Sequence, residues 1–206
     1  MKFKRSHSIF KIAKNQKRVL LLYFFFAFFS GPIAILLHEG GHYIGAKISG
    51  YTNCVLHYAS FSRGDPPVGV VDYKRNVIIT GLGPLVTLII SLICCIGAYF
   101  YRKKIFFIAM GLLTSIRNLS GFIIIILHAF GGKIGKRNDE VKLAAFLDIP
   151  TLVPLIISFL IFIGTWMFLI RQIDQLNRKR ILLSIILGGL TGLFLWMSII
   201  GPWILP

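Results

Sequence analysis

The stretch VLLLYFFFAFFSGPIAILL, Val19 to Leu37, runs without interruption into HEGGH, His38 to His42. Its 19 residues, rising 1.5 Å each, approach the roughly 30 Å of a bilayer's hydrocarbon core, so the stretch predicts a membrane-spanning helix. Working outward, four more apolar runs follow: Val77–Phe100, Ile105–Phe130, Ile149–Ile170 and Ile181–Leu205. Each exceeds the same minimum length. Across the 206 residues 56% are hydrophobic and 15% charged, with a mean hydropathy of +0.78, against about 45–50% apolar and 25% charged in soluble domains. These proportions exclude an ordinary soluble domain and a disordered chain. The three cysteines, Cys54, Cys94 and Cys95, form neither a disulfide framework nor a CxxC pattern.

The expected fold is an all-α integral membrane protein of about five transmembrane helices, with spans near residues 19–42, 77–100, 105–130, 149–170 and 181–204. Residues 1–18 form a basic arm ahead of a single polytopic domain, 19–206. The first run is longer than the 7–15-residue apolar region of a signal peptide and is expected to be retained. In the connection after it, Val55-Leu56-His57-Tyr58-Ala59-Ser60-Phe61 is rich in aromatic and branched residues ahead of turn-forming Gly64-Asp65-Pro66-Pro67. That pattern predicts a short hairpin or re-entrant strand.

The net charge is +16. In a soluble protein this would suggest nucleic acid, but here the basic residues sort by side of the membrane. Lys2, Lys4, Arg5, Lys11, Lys14, Lys17 and Arg18, then Arg102, Lys103 and Lys104, then Arg171, Arg178, Lys179 and Arg180 all fall on one side; the other connections hold eight. The side richer in Lys and Arg is cytoplasmic. The N-terminus is therefore expected inside and the end of the first span outside, with anionic membrane lipid rather than nucleic acid as the partner of the basic arm.

His38 and His42 stand at i and i+4 and share one face of a helix, so two imidazole nitrogens can meet one Zn²⁺, with Glu39 beside the ion to accept a proton from bound water. In isolation HExxH arises by chance, and histidines also mark the ends of spans. Charged groups inside a span, however, cost roughly 2.5–3.5 kcal/mol each at the bilayer centre and are usually functional. Three ionisable groups in five residues call for a partner such as a metal.

With these residues the chain resembles the site-2 protease family of intramembrane zinc metallopeptidases, and Gly81-Leu82-Gly83-Pro84 in the second run is similar to that family's Gly-Pro element. The resemblance implies a membrane-embedded zinc metallopeptidase acting on a peptide or a transmembrane protein substrate, with His38 and His42 as ligands and Glu39 as the catalytic base. The family's Asp-Gly motif is absent here, so a third ligand is sought elsewhere. Among the acidic residues Asp139 is favoured: the third run carries Asn138-Asp139-Glu140 to the face where the first run ends, and Val141–Leu147 can dip back as a helix. His57 and His128 come next, and Asp148 is expected to cap the fourth span. Arg117 and Asn118 lie in the third run. Arg117 either stabilises an oxyanion or pairs with an acid or carbonyl of the bundle, and Asn118 is a candidate substrate contact. Gly81, Gly83 and Pro84 either loosen the second span for a peptide or sit at a helix crossing. A non-catalytic transporter, immunity or partner subunit with a structural or vestigial metal site is the alternative.

Overall fold

The computed structural model describes residues 3–67, 73–101, 104–132 and 138–205. Helix α1 runs from Phe3 to Ile48 and stays helical through Pro32 and past His42. A two-stranded antiparallel hairpin follows, β1 (Val55–Leu56) with β2 (Phe61–Ser62), in the register Val55 to Ser62 and Leu56 to Phe61. Then come α2 (Tyr73–Phe100), α3 (Ile105–Ser115), a 3₁₀ turn (Ile116–Asn118), α4 (Leu119–Ala129), α5 (Asp139–Leu147), α6 (Leu152–Arg171), α7 (Arg178–Leu195), a π turn (Trp196–Ile200) and α8 (Gly201–Ile204). Five helical stretches are long and apolar enough to cross a membrane: Gln16–Ile48, Tyr73–Phe100, Ile105–Leu127, Leu152–Arg171 and Arg178–Ile204. The five expected spans are all present. The third is broken by the 3₁₀ turn at Arg117.

Lipid tails are as apolar as leucine, so helix association inside a bilayer relies on close approach and on hydrogen bonds. The contact of α1 with α7 uses both. Ser184 Oγ donates to the Leu20 carbonyl at 2.6 Å. One turn further along each helix, a methyl group on Gly188 would collide with the Phe24 backbone, and one turn beyond that a methyl on Gly192 would collide with the Phe28 backbone. The pairs 20/184, 24/188 and 28/192 advance together, so α1 and α7 run parallel, as a first and a fifth crossing must. A buried cluster that includes Tyr23, Ala27, Ile108, Leu112, Leu169 and Ile185 fills the bundle on this side. Large apolar residues such as Leu92, Phe100, Leu160, Leu190 and Phe194 remain exposed, on the surface a bilayer would cover.

Against α2 the register reverses. A methyl on Gly41 would stand 2.6 Å from the Leu82 carbonyl oxygen and one on Gly45 would stand 2.9 Å from Ile79 Cα, so α1 and α2 cross in opposite directions at near backbone contact. The hairpin is fastened to the end of the chain. Trp196 Nε1 donates to the Tyr58 carbonyl at 2.8 Å and Tyr58 N–H to the Leu205 carbonyl at 3.3 Å. Its reversal lies at His57–Ser60, where His57 N–H donates to the Ser60 carbonyl, ahead of the Gly-Asp-Pro-Pro segment.

Asp148 differs from expectation. It adopts the left-handed conformation, φ 51°, and closes α5, with its N–H on the Ala144 carbonyl, while Thr151 precedes α6. An acid before Ile-Pro suits a helix start, but the short α5 needs an αL residue at its end, which Asp tolerates better than most.

The glycine contacts make a direct prediction. Gly188→Ala and Gly192→Ala should each destabilise the fold by about 1–3 kcal/mol, read as a lower unfolding temperature in detergent. Gly164→Ala in α6, where a methyl would meet nothing within 4 Å, should be neutral.

Candidate metal centre

His38 and His42 project from one face of α1 and are 4% and 7% exposed; Asp139, the first residue of α5, is 7% exposed. The Asn138 side chain fixes Asp139 by capping α5, its Oδ1 accepting from Glu140 N–H at 2.9 Å and Val141 N–H at 3.3 Å. Asp139 then points at α1. Its neighbour Glu140 turns to α6 and accepts from Ser158 Oγ at 3.2 Å.

Three atoms converge. His38 Nε2 lies 3.1 Å from Asp139 Oδ2, His42 Nε2 lies 3.3 Å from the same oxygen, and the two nitrogens are 3.2 Å apart. The ring centroids are 4.8 Å apart and the planes almost perpendicular, at 89°, so the rings aim edges rather than faces at one another. The other ring nitrogens determine what the converging atoms are. His42 Nδ1 is 2.7 Å from the Ile79 carbonyl, which can only accept, so Nδ1 carries the proton. His38 Nδ1 is 3.0 Å from Thr87 Oγ1, whose own hydrogen goes to the Gly83 carbonyl at 3.2 Å; Thr87 therefore accepts from His38. Both neutral imidazoles present lone pairs at Nε2. Together with the carboxylate oxygen, three acceptors face one point.

Converging lone pairs in a buried site repel unless a cation lies among them; the Arg117 guanidinium meets Asp139 Oδ2 and His38 Nε2 from one side, and a metal ion at the centre would meet all three. Bonds of about 2.0–2.1 Å to the corners of a tetrahedron place neighbouring donor atoms about 3.3 Å apart, close to the three separations observed. Two imidazoles and a carboxylate suit zinc, and the hydrogen bonds to Ile79 and Thr87 orient the rings as metal-bound histidines require. His38, His42 and Asp139 thus form a buried group that can hold a metal ion.

Of the two sequence readings of Arg117, pairing with an acid of the bundle is realised: Nη2 donates to Asp139 Oδ2 at 2.5 Å, while Nε reaches toward His38 Nε2 at 3.4 Å. Lys142 Nζ lies 3.6 Å from the other Asp139 oxygen. Glu39, half-buried, lines a cavity of about 300 Å³ together with His38 and Arg117. Among the described residues no hydrogen bond or ion pair engages its carboxylate. Asn118 is buried in the 3₁₀ turn but does not line that cavity. His57 bonds Ser62 Oγ within the hairpin at 2.8 Å, and Asp65 accepts from Asn53 there. The His128 side chain and Asp72 lie outside the described residues.

Sequence reasoning missed how α2 supports the site. A methyl on Gly83 would collide with the His42 ring, whereas one on Gly40 would meet nothing within 4 Å. Of the two readings of the Gly-Pro element, the helix crossing is the one the contacts support at Gly83. The register supplies the link: with antiparallel helices and Gly83 opposite His42, the residue four further along α2, Thr87, falls opposite His38. No protein-family model, curated protein or solved structure matches this chain.

Metal analysis of detergent-purified protein should find one divalent metal ion per chain, lost in Asp139→Ala. Thr87→Val, which removes the acceptor of His38 Nδ1–H, should weaken metal binding about 10–100-fold. Gly83→Ala should displace the His42 ring and lower metal content, and Gly40→Ala should leave it unchanged.

Proposed function

We propose that this chain is a membrane-embedded zinc metallopeptidase of the site-2 protease type, hydrolysing peptide bonds of a membrane-associated or membrane-spanning substrate. One observation carries the reading: three converging lone-pair atoms adjoin a cavity into which a carboxylate, Glu39, opens without a partner among the described residues. A structural metal would need the first feature but not the second. The site lies in the far third of the first span, and the Lys and Arg distribution favours the outer side of the membrane for it.

Zinc held by His38, His42 and Asp139 would lower the pKa of a bound water toward about 7 and polarise a substrate carbonyl. The remaining work falls to the chain. Glu39, next to His38 on α1, takes the proton of the attacking water and returns it to the departing amine, so that the amine leaves neutral. Arg117, at the same end of the cavity, offers guanidinium protons to the oxygen that becomes negative as water adds. Ile79 and Thr87 hold the imidazoles in the tautomer that leaves Nε2 free. The bundle excludes bulk water, which strengthens each of these charge interactions.

The test is a pair of variants assayed on detergent-purified protein with unwound membrane-spanning peptides. Glu39→Gln should retain zinc and lose hydrolysis by about 10²–10⁴-fold. The double variant His38→Ala/His42→Ala should lose both. Full activity in Glu39→Gln, or equal zinc in wild type and the double variant, would show the reading to be wrong.

A further inference from the structure

The cavity beside Glu39 extends well past the reacting groups. Gly31, Ala34, Ile35 and His38 line it from α1, at intervals of three and four that form one helix face, so it descends along α1 for about 10 Å from His38 to Gly31 at 1.5 Å per residue. Leu193 and Met197 close it from α7 and the π turn, and Ala59 of the hairpin covers it. Apart from His38, Glu39 and Arg117 at one end, one further polar side chain lines it: Thr114 of α3.

Two buried hydroxyls among the described residues, Ser49 and Thr114, have no hydrogen-bond partner, and of the two Thr114 stands at the cavity. Ser30, Thr87, Ser91 and Ser115 each donate to a carbonyl four residues back in their own helix, the usual way a hydroxyl is satisfied inside a span. Thr114 is 1% exposed and its Oγ1 has no hydrogen-bond partner among the described residues. A buried donor left unpaired is unfavourable. Here the threonine lies in the wall of a cavity of about 300 Å³, with its Oγ1 covered just behind the surface, a volume at the lower limit of ligand sites, about 300–1,000 Å³. The space suits one or two side chains. A helix about 10 Å across does not fit, so what enters must be unwound, and an unwound backbone carries the free carbonyls a hydroxyl can pair with.

We propose that this cavity is the subsite for one bulky apolar side chain of an unwound membrane-spanning segment, with the Thr114 hydroxyl donating to a backbone carbonyl of that segment. Gly31 is packed against Leu193, whose Cγ a methyl there would meet at 2.9 Å, so the small Ala34 is the residue that limits the side chain the subsite takes. Thr114 is a positioning residue. The inference deepens the metallopeptidase reading and rests on it for the identity of the ligand.

The experiment separates the two. Zinc-loaded Glu39→Gln protein in detergent is titrated with peptides identical except for one central residue, Gly, Ala, Leu or Phe, and the wild type is assayed on the same set. Leu and Phe peptides should bind at least about tenfold more tightly than the Gly peptide, the discrimination an apolar pocket gives. Adding Ala34→Leu, which fills the subsite, should collapse that ratio toward one. Adding Thr114→Val, which is isosteric, should weaken all four peptides about tenfold while raising the unfolding temperature, because it removes an unpaired hydroxyl. A threonine with a merely structural role would leave binding unchanged. Equal binding of all four peptides, an unaltered ratio in folded Ala34→Leu protein, or unchanged affinity in Thr114→Val would overturn the subsite. Should wild type cleave none of the peptides yet bind them with the stated preference, the metallopeptidase reading falls and the subsite stands.

Discussion

The structure depends on the convergence of three lone pairs, from His38 Nε2, His42 Nε2 and Asp139 Oδ2, at one buried point. In water such a meeting would dissolve into solvent hydrogen bonds. Inside an apolar bundle it needs positive charge beside it, which Arg117 supplies at Asp139 Oδ2 and a metal ion could supply at the centre, and the neighbouring elements are arranged to keep the three atoms in place. Helix α2 takes up both Nδ1 protons, through Ile79 and Thr87. Helix α5 brings the carboxylate, its start fixed by the Asn138 cap. The 3₁₀ turn that interrupts the third crossing brings Arg117 to the same oxygen.

Two helix crossings translate that local requirement into the whole fold. Gly41 and Gly45 of α1 meet the α2 backbone nearly at contact, and Gly83 leaves room for the His42 ring; larger residues at these points would push α2 away and leave the imidazoles without their acceptors. On the other side of α1, Ser184, Gly188 and Gly192 set α7 parallel to it. The same juxtaposition makes Leu193 and Met197 walls of the cavity beside the site. Close approach is therefore what stabilises the bundle and also what shapes the space next to the candidate metal group.

Much of this was legible in the sequence. Five runs of apolar residues announce five crossings because a bilayer imposes their length, and the four-residue interval between His38 and His42 places them on one face whatever surrounds them. Asp139 was reachable by topology alone, since a chain that crosses three times must deliver its third connection to the side where the first crossing ends. What was not legible depends on register between helices. Neither Thr87 nor the Ile79 carbonyl carries any mark of its role until one knows which turn of α2 lies against which turn of α1. Asn118 adjoins Arg117 in sequence, yet the 3₁₀ turn sends only Arg117 to the site. Asp148 looked like the start of a helix and is the end of one, because the geometry of a short preceding helix outweighed the local residue pattern.

The central claim concerns what occupies the point on which the two imidazoles and the carboxylate converge. X-ray absorption at the zinc edge of the purified, zinc-loaded protein measures it most directly. Two nitrogen scatterers with imidazole signatures are expected at about 2.0–2.1 Å and oxygen scatterers at about 2.0–2.2 Å in a four-coordinate shell, with the imidazole signature lost in His38→Ala/His42→Ala. A shell of oxygen alone, a sulfur ligand, or a spectrum unchanged by removing the two histidines would contradict it.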